Sequence, residues 1–453
     1  MTKIRLLAMA CLMALVTGIH AQDFETATEA VKNMRVGWNL GNTLDSNSGD
    51  VNNMWIEAWT NRTPDAYETA WGQPVTKPEL IKMFKEAGFN AIRVPVTWYP
   101  HMEATFNSVK WDNAKNALTT WDYENDDIGT VIQESWMKRV HEVVDYVISQ
   151  GMYCILNVHH DTGAANTAWL KADEEVYGKQ KVRFEEIWRQ IAEEFKDYDE
   201  HLLFEGYNEM LDSYNSWCFA SYATPSRYNA TVAMSAYNAI NSYAQSFVNV
   251  VRGTGGNNAQ RNLIVSTYGA CSGAGTWNSH LADPLKQMKL PDDQVANHLV
   301  FEVHSYIDVK NINNAKNEIN QMVLDIKANL ASKGAPVIFG EWGTLTDNAY
   351  GSYRNNLLSF ARYFVEKAKA NDMASFYWMG LSDGNHRSVP EFNEPDLKDA
   401  IIKGYYGDEG YTGIKSIAVG RADDDNYYDL QGRRVNHPEH GVYVRNGKKV
   451  VIH

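Results

Sequence analysis

The feature that most constrains the fold is an alternation of short apolar runs with segments of helical periodicity. Apolar runs of this length, without polar alternation, are typical of strands buried on both faces of a parallel sheet. Eight such runs occur, at 34–40, 91–96, 153–158, 202–207, 263–267, 299–304, 337–340 and 374–378. Between them, apolar residues recur at helical spacing in six segments, at 77–87, 134–149, 183–195, 234–251, 314–332 and 350–370.

Eight strand-and-helix units within a chain of 453 residues predict a closed (β/α)8 TIM barrel, an α/β fold. Glycines at 88, 151 and 334 directly follow helical segments and are typical of helix ends. A doubly wound open sheet is the alternative fold. The turn after the first run lacks the G-x-G-x-x-G spacing that binds nucleotide phosphates, which favours the barrel.

The first 21 residues have the pattern of a secretory signal peptide. Lys3 and Arg5 form a positive start, an apolar stretch covers 6–16, and a small residue, Ala21, precedes the expected cleavage point. The barrel is expected to occupy 22–406. No later run reaches the roughly 20 apolar residues of a membrane span, so we predict a secreted protein, extracellular or associated with the cell surface.

The pattern changes after about Tyr406. We predict a linker at 407–426 and a short C-terminal β tail at 427–453. Within the tail, polar and apolar residues alternate over 441–452 around Asn446 and Gly447, a pair that favours a two-residue hairpin turn. This tail resembles, in part, the C-terminal sorting segment of proteins exported by the type IX secretion route.

Composition excludes several classes of protein. The formal net charge of −14, without a long basic run, argues against binding to a nucleic acid backbone. Four cysteines without a C-x-x-C pair predict neither a disulfide framework nor a zinc site. The 14 Trp and 25 Tyr residues suit the stacking of sugar rings, although large aromatic residues also fill cores. Four tryptophans are open to either interpretation, Trp55, Trp59, Trp98 and Trp169.

The residues at or just beyond the carboxyl ends of the predicted strands are predominantly polar. In a barrel these positions meet at one face, where barrel active sites lie. The set comprises Asn39, Arg93, His159, His160, Asn208, Glu209, His304, Tyr306, Glu341 and Trp378. Two carboxylates on separate strands, without a phosphate-binding loop, indicate glycoside hydrolysis, in which one carboxyl protonates the leaving oxygen and the other meets the anomeric carbon.

The adjacent pair His159 and His160 raises a metal site as an alternative. Neighbouring residues of a strand point to opposite faces, and the His-x-His spacing of barrel metal sites is absent. We therefore predict that the site contains no metal and no cofactor.

The local sequences resemble those of glycoside hydrolase family 5, the family of many cellulases. Seven segments carry the resemblance, GWNLGNTLD (37–45), ETAWGQP (68–74), GFNAIRVPVTW (88–98), NVHHD (157–161), FEGYNE (204–209), VHSY (303–306) and IFGEWG (338–343). They occur in order between Met34 and Tyr406. The first two segments are most similar to the endo-β-1,4-glucanase and xyloglucanase branch, subfamily 4.

This resemblance implies roles for the polar set. Glu209 would be the acid/base and Glu341 the nucleophile. Arg93 would favour the ionised form of Glu341, while His304 and Tyr306 would orient it. The remaining residues would support catalysis, as His159 and Asn208, or bind substrate, as Asn39, His160 and Trp378, with Asn208 on the sugar 2-hydroxyl and Trp378 as a stacking face.

The implied activity is that of a secreted, retaining endo-β-1,4-glucanase whose partner is a polysaccharide, either cellulose-type chains, mixed-linkage glucan or xyloglucan. An endo-acting mannanase or xylanase on the same barrel is an alternative. A non-catalytic glycan-binding barrel is a further alternative, but it would be expected to have lost a carboxylate. Both Glu209 and Glu341 are present.

Overall fold

A computed structural model describes residues 24–60, 63–102, 111–112, 117–118, 129–216, 228–273, 279–411, 427–428, 434–435, 441–445 and 448–452. The chain divides into two compact units at Gly410–Tyr411, and each is described separately. The predicted signal peptide (1–21) lies outside the described residues. Among the helices that are described, none is long and apolar enough to cross a membrane.

The larger unit is a closed barrel of parallel strands. Its strands are β1 Val36–Asn39, β2 Ala91–Val94, β3 Tyr153–Asn157, β4 Leu202–Glu205, β5 Leu263–Ser266, β6 Leu299–Tyr306, β7 Val337–Gly343 and β8 Ala374–Tyr377. Each strand pairs with the next, and β8 returns to β1, where Gly37 lies opposite Phe376. All eight predicted strands and the barrel are confirmed, and the open-sheet alternative is wrong.

Helices alternate with these strands. They are α1 Ala27–Met34, α2 Pro78–Ala87, α3 Glu134–Ile148, α4 Glu174–Glu194, α5 Ala230–Gly253, α6 Asp283–Gln287, α7 Ile312–Asn329, α8 Arg354–Lys369 and α9 Pro395–Tyr406. Short helices at Trp55–Trp59, Pro64–Glu68 and Asn385–Ser388 lie in the connections. Helix α4 begins nine residues before the predicted position 183. Its first turns bury no side chain, so they carry no apolar periodicity, and the N-cap residue Asp173 is the remaining sequence signal for the true start.

The amino ends of the strands are closed by α1, which precedes β1. Its apolar face packs against residues contributed by the strands in a cluster of Ala27, Ala30, Val31, Met34, Ala91, Tyr153, Ile155, Leu203, Ile264, Val300, Ile338, Ala374 and Phe376. A capping box at Thr26 and Glu29 begins the helix. This end of the barrel is therefore a packed apolar core.

At the carboxyl end, β7 contains a β-bulge at Gly340. The register with β6 changes from Val303–Phe339 to His304–Glu341, which leaves Gly340 as the extra residue. A Cβ atom at this position would overlap with Oε1 of Glu302, so only glycine fits. Because bulges re-aim the side chain beside them, this glycine sets the direction in which Glu341 leaves the strand.

The smaller unit contains an antiparallel sheet of β9 Tyr427–Tyr428, β10 Arg434–Val435, β11 Gly441–Arg445 and β12 Lys448–Ile452, in the order β10-β9-β11-β12. Strands β11 and β12 pair from Gly441–Ile452 to Arg445–Lys448, which confirms the two arms of the predicted hairpin. The turn residues 446–447 and most of the predicted linker 407–426 lie outside the described residues.

Candidate active site

Arg93, at the carboxyl end of β2, lies at the centre of the site and is completely buried. Its guanidinium donates to both carboxylate oxygens of Glu205 at 2.6 and 2.7 Å, and to Oε1 of Glu341 at 2.8 Å. It also donates to the amide oxygens of Asn39 at 3.0 Å and Asn208 at 2.7 Å. The rigid planar group therefore fixes four side chains that come from three strands or their ends, β1, β4 and β7.

Glu341 is held from both sides. While Arg93 contacts Oε1, the Tyr306 hydroxyl donates to Oε2 at 2.6 Å. Burial favours a higher pKa, but the charges of His304 and Arg93, together with these hydrogen bonds, outweigh it and hold the pKa of Glu341 below its ordinary value. The site thus presents an ionised carboxylate to the cleft.

Glu209 follows β4 and is more open, with 28% of its side chain exposed against 6% for Glu341. His304 Nδ1 lies 2.8 Å from Glu209 Oε1 but 3.6 Å from Glu341 Oε2. The sequence prediction that His304 orients Glu341 therefore needs revision, because its closer partner is Glu209. One oxygen of each carboxylate and a nitrogen of His304 lie within 4.8 Å of one another.

The hydrogen-bond network assigns the tautomer of His159. The Asn157 amide oxygen accepts from Val96 N, so its NH2 group must be the donor to His159 Nδ1 at 3.0 Å. Burial, together with the charges of His160, Arg93 and His304, lowers the pKa of His159 well below its ordinary value. His159 is consequently a neutral ring with its proton on Nε2, 3.9 Å from Glu341 Oε1.

His159 and His160 both line the cleft, contrary to the expectation that they point to opposite faces. Strand β3 ends at Asn157, so strand alternation does not extend to them. His160 Nε2 lies 3.7 Å from the buried Asp45 Oδ2. Ligand atoms of Asp45, His159 and His160 lie within 4.8 Å of one another. In His159, however, Nε2 carries the proton and the lone pair of Nδ1 accepts from Asn157, so neither ring nitrogen is available to a metal ion.

The cleft above these groups has a volume of about 570 Å3. Trp378 forms one wall, with its indole parallel to the His159 ring at a centroid distance of 5.8 Å and packed against Gly41. Residues of three connections and of α7 also line the cleft, namely Cys271, Ser272, Gly273, Asp308, Glu318, Met322 and Leu345. A second depression of about 400 Å3, bordered by Tyr350 and Asp383, lies against Trp378 as well.

The predicted substrate residues fall into two groups. His160 and Trp378 line the cleft, whereas Asn39 is completely buried beneath it. The amide NH2 of Asn39 donates to the carbonyl oxygen of Gly340 at 2.9 Å, and its amide oxygen accepts from Arg93. Both ends of Asn39 are therefore engaged in holding the bulge and the arginine.

The four tryptophans that the sequence leaves open between core and substrate binding fall into a buried pair and an exposed pair. Trp98 and Trp169 are buried, and their indole nitrogens donate to Asn157 O and Asp161 Oδ1. Trp55 and Trp59 are 45% and 64% exposed on the short helix after β1. The first pair belongs to the core.

Two buried carboxylates complete the site. Glu205 is completely buried and forms an internal ion pair with Arg93. Glu302, which sequence reasoning missed, is completely buried and lies 3.4 Å from Arg93 Nε. The signal was present, because Glu302, His304 and Tyr306 alternate along β6 and therefore share the face that points into the barrel.

Comparison with known proteins agrees with this geometry. The family model described as Cellulase (glycosyl hydrolase family 5) matches residues 52–383. Endoglucanase B of Neocallimastix patriciarum is 32% identical over 409 residues, which cover 86% of this chain and 74% of that protein.

Solved structures are similar over the same region. A GH5-4 broad specificity endoglucanase from an uncultured bacterium superposes with a TM-score of 0.76 at 50% identity, covering 86% of this chain and 98% of that one. A family 5 enzyme from Prevotella bryantii B14, in a mutant form bound to a xyloglucan tetradecasaccharide, gives a TM-score of 0.68 at 36% identity, covering 85% and 99%. The chain belongs to glycosyl hydrolase family 5.

Proposed function

We propose that the chain is a secreted endo-β-1,4-glucanase that retains anomeric configuration through double displacement by Glu341 and Glu209. The observation that carries the mechanism is the approach of the two carboxylates, which have oxygens within 4.8 Å of each other. Retaining enzymes place their carboxyls about 5 Å apart because the nucleophile attacks directly, whereas inverting enzymes need room for water.

In the first step, a Glu341 oxygen attacks the anomeric carbon while the bond from that carbon to the leaving oxygen breaks. Glu209 donates its proton to the leaving oxygen, so the departing chain leaves as an alcohol. In the second step, Glu209 removes a proton from water, which attacks the anomeric carbon and releases Glu341. The protonation states at the end equal those at the start.

The surrounding contacts support these roles. Arg93 and Tyr306 keep Glu341 ionised before attack, and both remain as donors when its charge is consumed. Because Arg93 occupies the amide oxygen of Asn208, the NH2 group of Asn208 is the end available to the sugar 2-hydroxyl. We assign Asn39 to positioning, and His159, His160 and Trp378 to substrate contact.

The substrate assignment draws on the cleft and the relatives. The cleft lies open beside the stacking face of Trp378, and a second depression adjoins the same indole. One relative is described as a broad specificity endoglucanase, and another was crystallised with a xyloglucan oligosaccharide. We therefore propose soluble β-1,4-glucans, with or without side chains, as substrates that are cut internally.

The role assignment is tested with Glu341→Ala and Glu209→Ala, with the exposed Glu86→Ala on α2 as control. Glu341→Ala should lose activity on β-glucan and on aryl cellobiosides alike. Glu209→Ala should lose activity on glucan but keep part of it on aryl cellobiosides with good leaving groups, which need no acid. Azide should rescue both variants, giving a β-glycosyl azide with Glu209→Ala and an α-glycosyl azide with Glu341→Ala. Identical behaviour of the two variants would refute the assignment.

The substrate assignment is tested with a panel of purified β-glucan, xyloglucan, glucomannan and xylan at equal concentration. Internal cleavage should lower viscosity well ahead of the release of reducing ends. Cellobiose as the sole early product would contradict endo cleavage, and a preference for mannan or xylan would contradict the glucan assignment while leaving the mechanism intact.

A further inference from the structure

His304 has a carboxylate at each of its two ring nitrogens. Nε2 lies 3.2 Å from Glu302 Oε1, and Nδ1 lies 2.8 Å from Glu209 Oε1. Glu302 is completely buried, whereas Glu209 reaches the cleft. The imidazole therefore connects the proposed acid/base to a carboxylate beneath the floor of the site.

Three neighbouring residues fix the position of the Glu302 carboxylate. Ser266 Oγ lies 3.3 Å from Glu302 Oε2, and Arg93 Nε lies 3.4 Å from Oε1. Gly340 leaves open the volume that Glu302 Oε1 occupies, since any larger residue there would overlap with it. These contacts hold one carboxylate oxygen against the imidazole.

This arrangement restricts where protons can lie. An ionised Glu302 only accepts, so Nε2 of His304 must carry a proton. Nδ1 then either accepts the proton of a neutral Glu209 or donates its own to an ionised Glu209. The two arrangements hold the same number of protons, and they differ only in the position of one proton along a 2.8 Å hydrogen bond.

We propose that Glu302 is a positioning residue that acts through His304 to hold the proton that Glu209 delivers, an inference that rests on the proposed function of Glu209. Glu302 fixes the Nε2–H tautomer and stabilises positive charge on the ring. In the first step the shared proton goes from the Glu209–His304 pair to the leaving oxygen. In the second step the proton taken from water returns to the same pair, and Glu302 stays ionised throughout.

Titratable groups around His304 come from several elements. Glu341 on β7 lies 3.6 Å from Nδ1, and His159 after β3 interacts electrostatically with His304. Arg93 on β2 contacts Glu302 and Glu341, Glu205 on β4 interacts with Glu302, and Tyr306 on β6 donates to Glu341, so these three act on the carboxylates that adjoin His304. Burial alone lowers the pKa of His304. The charge of Glu341 and the hydrogen bonds to Glu209 and Glu302 outweigh burial and raise the pKa to about 10.

The test is the pH profile of kcat/KM for Glu302→Gln, which keeps the size of the side chain and removes its charge. Loss of this negative charge removes one of the interactions that raise the pKa of His304, so the shared proton is lost at lower pH. The alkaline limb should move down by about one to two pH units, while the acid limb moves less. Glu302→Asp, which keeps the charge, should restore the alkaline limb toward its wild-type position.

Glu205→Gln is the matched control, because Glu205 is equally buried and also pairs with Arg93, but it is hydrogen-bonded to Asn157 where Glu302 is bonded to His304. Its alkaline limb should move much less. A Glu302→Gln enzyme with lower thermal stability but an unmoved alkaline limb would overturn the proposal, since a purely structural role predicts that result.

Nitrogen NMR of His304 separates this proposal from the proposed function. In the wild-type protein, Nε2 should stay protonated over the whole accessible pH range, with titration confined to Nδ1, whether or not glucan is hydrolysed. Titration at Nε2 would overturn the proposal even if Glu302→Gln failed to fold. Failure of Glu209→Ala to behave as an acid/base variant, with the predicted NMR result intact, would instead refute the proposed function.

Discussion

Two buried arginines lie at opposite ends of the barrel and differ in the groups that they contact. Arg93 and Arg261 are both completely buried. Arg93, at the carboxyl end, contacts the carboxylates of Glu205 and Glu341. Arg261, just before β5 at the amino end, donates to the Asn258 side chain and to the backbone carbonyls of residues 195, 198, 199 and 202.

The electrostatic consequences are opposite. Burial lowers the pKa of Arg261 to about 9, because its partners are mostly neutral carbonyls. Burial acts in the same direction on Arg93, but Glu205 and Glu302 outweigh it and raise its pKa well above the ordinary value. Arg261 therefore connects neutral backbone groups, whereas Arg93 neutralises an excess of negative charge. The carboxylates that surround Arg93 therefore lie at the carboxyl end of the barrel, whereas Arg261 at the amino end is held by neutral carbonyl groups.

The largest expected effect comes from replacing each arginine by methionine. Arg93→Met leaves Glu205, Glu302 and Glu341 buried without their cation, which should cost about 3–5 kcal/mol of the free energy of unfolding and abolish glucanase activity. Arg261→Met leaves carbonyl groups unpaired and should destabilise the protein as well. Its kcat per folded molecule should nevertheless stay close to that of the wild type.

The measurements are denaturant unfolding and activity normalised to folded protein. If Arg261→Met also had a lower kcat while fully folded, catalysis at the carboxyl end would depend on the amino end, and the separate roles assigned to the two arginines would be wrong. An active Arg93→Met enzyme would show that Tyr306 and His304 suffice to keep Glu341 ionised.

A substitution that creates a cavity in the apolar cluster at the amino end should have the next largest effect on stability. Ile264 is buried in the apolar cluster on β5, the one barrel strand that contributes none of the predicted site residues. Ile264→Ala should lower the free energy of unfolding by about 2–5 kcal/mol. The pH profile and KM for β-glucan should not change, and a shift in either would contradict the separation of the two ends.

Sequence periodicity was sufficient for the strands because each is a short apolar run bounded by polar residues. The predicted β7 ends too early, at 340, because the charged Glu341 ends the apolar run, whereas the strand continues past the bulge to Gly343. Selecting polar residues at the carboxyl ends of the predicted strands found both Arg93 and Tyr306, which among the described residues donate hydrogen bonds to Glu341.

Register explains what the sequence left open. The contact between Glu302 and Arg93 joins β6 to β2 across the barrel, and no spacing along the chain encodes it. The preference of His304 for Glu209 over Glu341 depends on distances of 2.8 and 3.6 Å, which only the packed strands determine. Local pattern therefore predicts which residues reach the carboxyl end, while their pairing follows from barrel closure.

A smaller effect is expected for Tyr306→Phe, which tests how the charge at the carboxyl end is shared. The variant removes one donor to Glu341 and leaves Arg93 in place. Since the hydroxyl stabilises the ionised form, its loss raises the pKa of Glu341, and Glu341 must be ionised to attack. The acid limb of kcat/KM should move up by about one pH unit or less.

The pH profile separates this variant from Arg261→Met, for which neither limb should move. An unchanged acid limb in Tyr306→Phe would mean that Arg93 and His304 alone set the ionisation of Glu341. A shift of the alkaline limb instead would assign Tyr306 to the Glu209–His304 pair.

The smallest effect is expected at the start of α1, the helix that covers the amino end. The Thr26 hydroxyl accepts from Glu29 N at 3.3 Å, while Glu29 Oε2 accepts from Thr26 N at 2.8 Å. Thr26→Ala removes the first of these bonds and leaves a helix N–H to water, which should cost about 1 kcal/mol. Thr26→Ser keeps the hydroxyl and is the matched control.

Because both groups are exposed, water replaces the lost bond and the apolar face of α1 keeps its contacts with the strands. Thr26→Ala should therefore lower Tm by about 2 °C or less, with Thr26→Ser unchanged and kcat the same in both. A fall in kcat for Thr26→Ala alone would mean that the fit of α1 against the strands reaches the carboxylates at the other end. Equal kcat values would show that the amino end can loosen locally without disturbing the charges around Arg93.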